Sequence, residues 1–106
     1  MKGLKENQIL VVIKEPSKEP YVEPLFDNTL EAFQNAVGGY IETVTFCSDA
    51  CLICNEEGRL KKLPYNFTAL GNPFYGTVLC VGVKGSDFAS IKSSFVPYVM
   101  TLMRGK

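Results

Sequence analysis

The stretch from Asn28 to Gly58 constrains the chain most, because it sets a short helix signal, a Gly38-Gly39 break and two strand-like runs in immediate succession. Asn28 can accept the free N–H groups of a first helical turn, and Glu31 stands three residues later, where a carboxylate reaches back in a capping box. The pattern predicts a helix over Thr29 to Val37. Leu30, Phe33 and Val37, with Ala36 beside them, recur at the spacing that gathers apolar groups on one helical face, and that face must dock on a sheet. Gly38 or Gly39 supplies the left-handed residue that ends such a helix, and the other lets the backbone turn straight into a strand. From Tyr40 to Phe46, Ile41, Thr43 and Thr45 share one side while Glu42, Val44 and Phe46 share the other; neither side is cleanly polar, so both are expected to be partly covered. Ala50 to Cys54 is a short apolar run, and with Asn55-Glu56-Glu57-Gly58 and Arg59-Leu60 behind it the segment reads as a hairpin with glycine at the left-handed position.

The remaining segments supply partners for that unit. Met1 to Asn7 is polar and expected to fray, whereas Ile9 to Ile13 is continuous, β-branched and suited to a buried strand. Tyr21 to Phe26 contains Pro24, which lacks the donor a central ladder needs, so it reads as an edge strand or an irregular lead-in to the helix. Leu63 to Tyr75 reads as a loop of about a dozen residues, with a single helical turn at Phe67 to Leu70, and loops of that length often carry function. Gly76 to Lys84 gives a second strong strand. Ser93 or Ser94 can cap a C-terminal helix with Pro97 near its first turn and Val96, Val99, Met100 and Met103 as its buried stripe. A chain of 106 residues closes one core without metal or disulfide support. The expectation is one α+β domain over residues 1–106: a mainly antiparallel mixed sheet, one helix after the second extended segment and one at the C-terminus.

Composition removes several functions. The chain has no histidine, so Ser-His and Cys-His nucleophiles are out of reach, and Ser86-Asp87 reads as a turn. Cys47, Cys51 and Cys54 carry the spacing of a radical-enzyme iron–sulfur site, but a chain this short cannot build the barrel such enzymes need. In a strand, Cys51 and Cys54 face opposite sides, and zinc would have only Cys80 as a fourth ligand. Buried free thiols in a reducing compartment are the expectation, with no metal and no cofactor. Gly82-x-x-Gly85 and Gly71-Asn72-Pro73 lack the strand-to-helix context of a phosphate cradle. Glu19 to Gly58 holds eight acids and no base, while Arg59 to Lys106 holds seven bases and one acid, Asp87, so the two halves are expected to interleave and neutralise each other. Arg59-Leu60-Lys61-Lys62 alone is too small a basic stripe for nucleic acid. Neither a membrane span nor a secretory signal is legible, and a cytoplasmic setting is expected.

Asn28-Thr29-Leu30-Glu31-Ala32, Gly38-Gly39-Tyr40-Ile41-Glu42, Ile53-Cys54-Asn55-Glu56-Glu57-Gly58, Leu63-Pro64-Tyr65-Asn66 and Gly76-Thr77-Val78 together resemble a family known as a domain of unknown function, DUF3846, from about Ile9 to Ile91. The resemblance implies a short accessory protein of phages, plasmids or conjugative elements in bacteria, and it brings no catalytic residues.

The leading expectation is a non-enzymatic binding module for a host protein or a small ligand. Tyr40, Asn55, Tyr65, Asn66, Asn72 and Tyr75 are its candidate contacts, because amides and phenols orient ligands, although turn-capping is the competing role for Asn55 and Asn66. The functional surface is expected where residues 63–75 meet the Asn55 to Gly58 turn. One alternative is a small enzyme using the carboxylates of Glu42, Glu56 and Glu57; another is a structural protein that associates with itself as a homo-oligomer.

Overall fold

The computed structural model describes residues 7–105; apart from Asn7, the polar opening expected to fray lies outside them. Eight strands and two α-helices follow in the order β1 Gln8–Lys14, β2 Tyr21–Asp27, α1 Leu30–Val37, β3 Ile41–Cys47, β4 Ala50–Asn55, β5 Tyr65–Ala69, β6 Asn72–Tyr75, β7 Val78–Lys84, β8 Asp87–Ala89 and α2 Val96–Arg104, the last preceded by a 3₁₀ turn at Ser93–Phe95. The main sheet runs β2-β1-β7-β4-β3, and β8 continues the line of β1 along the far half of β7. Every strand pair in it is antiparallel. This is the expected α+β domain, a mainly antiparallel sheet with one helix in mid-chain and one at the C-terminus.

The continuous apolar runs are strands covered on both faces. Along β4, Ala50, Leu52 and Cys54 enter one core with Val12, Val78, Cys80, Val99 and Met103, whereas Cys51 and Ile53 enter another with Val11, Phe33, Val37, Leu79 and Val81. Strand geometry requires that split, since successive side chains leave on opposite sides. Helix α2 and a small β5–β6 hairpin roof the first face; α1 roofs the second. The expected α2 stripe holds, with Val99 and Met103 fully buried and Val96 and Met100 packed at its margin.

Several expectations are corrected. The α1 cap is Thr29, whose hydroxyl accepts the Ala32 N–H at 3.1 Å. Asn28 instead donates to the Phe88 carbonyl at 3.0 Å, tying the helix start to β8, and Glu31 falls one position short of a capping box. Leu30 leaves the apolar face and is exposed. Neither Ser93 nor Ser94 caps α2, which begins at Val96 with no side-chain cap and Pro97 in its first turn. The hairpin closes earlier than expected: β3 and β4 pair through Ser48-Asp49, and Arg59-Leu60 is turn, not strand. Residues 63–75 are the largest departure. They contain no helical turn but form the β5–β6 hairpin, closed by Leu70 and Gly71 at φ 55° and 77°. Two successive left-handed residues are the signature of a tight primed turn, whose twist matches that of the strands it joins.

The Gly38-Gly39 break works as expected at its first residue, which adopts φ 81° as the C-cap of α1. Gly39 is required for a different reason. A Cβ there would stand 2.8 Å from Asn55 Nδ2, so the glycine lets the end of β4 approach the end of the helix.

Candidate functional site

That approach builds the site. Asn55 is buried and uses both ends of its amide: Nδ2 donates to the Val37 carbonyl at 3.0 Å and Oδ1 accepts the Glu57 N–H at 2.7 Å. The Glu56 N–H donates to the Tyr40 carbonyl at 2.8 Å, so the chain leaving β4 is fixed to the start of β3. It then coils back, with the Leu63 N–H donating to the Gly58 carbonyl at 2.9 Å, and Gly58 lies so close to Tyr75 that a Cβ would come within 2.9 Å of its carbonyl oxygen. Residues 55–59 are thereby pressed along β6.

Between them opens a cleft of about 270 Å³. One wall carries Glu42, Asn55, Glu56 and Arg59; the other carries Asn72, Pro73 and Tyr75. Val44, Cys54 and Phe74 form an apolar floor. The composition is that of a recognition site, with apolar area beneath, charge and amide groups at the rim, and both carboxylates exposed. Glu57 does not line the cleft; it lies 3.8 Å from Lys61 in an exposed pair.

The six candidate contacts divide among three places. Asn55, Asn72 and Tyr75 share this cleft. Tyr40 is exposed beside Gly39 and Lys61. Tyr65 and Asn66 face a second cleft on the other side of the β5–β6 base, with the Tyr65 ring packed edge-on against Tyr75 at 5.9 Å between centroids. Asn66 is committed inward: Nδ2 donates to the carbonyls of Lys14 at 2.8 Å and Gly76 at 2.7 Å, and Oδ1 accepts from Lys14 Nζ at 2.9 Å. Both asparagines therefore use their amides to hold backbone, and Asn66 also holds the Lys14 ammonium. Sequence reasoning missed Arg59 in the first cleft and Lys14 in the second. For Lys14 a signal existed, since it directly continues the β1 apolar run and a strand residue at that position need not reach solvent.

Cys51 and Cys54 point to opposite faces of β4. Burial pushes the Cys51 thiol up to about 11, with Cys47 adding to the effect, and the Cys54 thiol up to about 11, with Glu42 adding. Burial raises Cys80 further. Thiols so raised stay protonated near neutrality and are poor nucleophiles and poor ligands. Among the described residues, no three cysteine or carboxylate groups gather as a metal site. The two charge halves do meet, as Lys92 with Asp49 at 3.1 Å and Arg104 with Glu19 at 2.9 Å, in exposed pairs of the kind that contribute little to stability.

A family model described as a domain of unknown function (DUF3846) matches residues 8–103. Searches of curated proteins and of solved structures give no match. Among the described residues, no helix is long and apolar enough to cross a membrane.

Proposed function

We propose, for a chain that belongs to the DUF3846 family, that it is a non-enzymatic binding module whose partner engages the cleft between the β4 exit and β6. The observation that carries this reading is the convergence of residues 55–59 and 72–75 on one concavity with an apolar floor and two rim carboxylates. At about 270 Å³ the cleft lies just below the range of pockets that enclose drug-sized ligands, roughly 300–1,000 Å³. It suits a single projecting side chain better, and Glu42 with Glu56 favours a cationic one. A host protein presenting a lysine or arginine is therefore the preferred partner, in keeping with an accessory protein of a phage, plasmid or conjugative element acting in a bacterial cytoplasm.

The test is capture from bacterial lysate. Both glutamates are exposed, so Glu42→Lys with Glu56→Lys should leave the fold intact and abolish retention of the partner. The control Lys84→Glu, on the far β7–β8 hairpin, should retain it. Undiminished capture by the double variant would remove the cleft from the interface.

A further inference from the structure

We propose that the second cleft, floored by the buried Lys14 ammonium, is a binding site for the phosphate group of a small phosphomonoester. The cleft has a volume of about 510 Å³ and is lined by Lys14, Lys18, Glu19, Tyr65, Asn66 and Arg104. Three cations and one carboxylate line it, a surplus of positive charge that suits an anion.

Lys14 is the feature that ordinary surface electrostatics does not account for. It is only 7% exposed, yet among the described residues no carboxylate lies within ion-pair distance of it. An ammonium carries three donors, and Lys14 Nζ spends two, on Asn66 Oδ1 at 2.9 Å and the Glu15 carbonyl at 3.0 Å. Both acceptors are neutral, so among the described residues no opposite charge meets the ammonium at contact distance. Such burial is costly unless something else repays it, and desolvation lowers the Lys14 pKa, with the more distant Glu19 opposing.

The surroundings are arranged to hold that ammonium in place. Asn66 cannot swing away, because its Nδ2 hydrogens are tied to two backbone carbonyls. Lys18 and Arg104 stand at the rim on exposed, mobile-length side chains, each in a surface pair, Lys18 with Glu15 at 3.2 Å and Arg104 with Glu19 at 2.9 Å. Glu15 also accepts from Tyr21 Oη at 3.0 Å, which holds it behind Lys18 and off the lining. An arriving phosphate would exchange weak surface pairing at Arg104 and Lys18 for charge-assisted contacts and would bring a counter-charge to Lys14. This site is independent of the partner cleft, and the two can fail separately.

Calorimetric titration with inorganic phosphate, methyl phosphate, dimethyl phosphate and acetate at matched ionic strength tests the assignment. Saturable binding of phosphate and methyl phosphate is expected, with dimethyl phosphate and acetate at least about tenfold weaker because each carries a single charge. Lys14→Met should abolish binding. Because that substitution could also unfold the chain, Lys18→Gln with Arg104→Gln, both at exposed positions, serves as the second variant and should weaken binding by about tenfold. Absence of saturable phosphate binding, or an unchanged affinity in the rim variant, would overturn the site. Equal affinity for dimethyl phosphate would overturn the monoester assignment and indicate a diester such as a nucleic-acid backbone; equal affinity for acetate would indicate a carboxylate.

Discussion

Phe33→Ala is expected to destabilise the domain by about 3–5 kcal/mol, the range for truncating a fully buried aromatic ring. Phe33 is 1% exposed and is the central contact between α1 and the sheet. Its ring lies 5.0 Å from Phe26 of β2 and 5.3 Å, edge-on, from Phe88 of β8, so one side chain ties the helix to two strands. α1 is only eight residues long, too short to be helical without that contact. A loss below about 1 kcal/mol in urea melts would mean that the α1 face is held some other way.

Asn66→Ala is expected to cost about 3 kcal/mol or more, because three buried groups lose their partner at once: the Lys14 ammonium, the Lys14 carbonyl and the Gly76 carbonyl. The damage should be local at first. Among the described residues β5 and β6 pair only with each other, so the hairpin leans on Phe67, Ala69 and Phe74 packing, on the Gly58–Tyr75 approach and on this amide. Amide hydrogen exchange of residues 65–75 should accelerate in the variant before that of β4 or β7. Uniform protection across all strands, with an unchanged melting temperature, would show that the amide is dispensable.

Much of the architecture was legible because its signals were local. Ile9 to Ile13, Ala50 to Cys54 and Val78 to Val83 are runs that only a sheet covered on both faces accommodates, and Pro24 placed β2 at an edge where β1 meets it across a register shift. Pairing was less legible. Whether β4 turned back onto β3 or onward into Arg59 depended on Ser48-Asp49, which carries no glycine. Residues 63–75 hid a hairpin because its turn is Leu70-Gly71, with leucine at a left-handed position, and because Pro64 and Pro73 argue against strand wherever the strand is not known to be an edge.

The site was half legible for a related reason. Asn55, Asn72 and Tyr75 were drawn together because the segments that bear them meet, as expected. The roles of Asn55 and Asn66 depend on burial, which sequence does not display; an amide that could greet a ligand instead holds Val37, Lys14 and Gly76 backbone. Lys14 escaped notice because a lysine at the end of a strand normally reaches water.

The most direct test of the binding-module reading is an amide chemical-shift titration of the labelled domain with the protein it retains from bacterial lysate. Perturbations are expected to concentrate at Glu42, residues 55–59 and residues 72–75, with the α1 and β2 surfaces unmoved. Perturbations confined to β2, α1 or the β7–β8 hairpin, with the cleft residues silent, would contradict it.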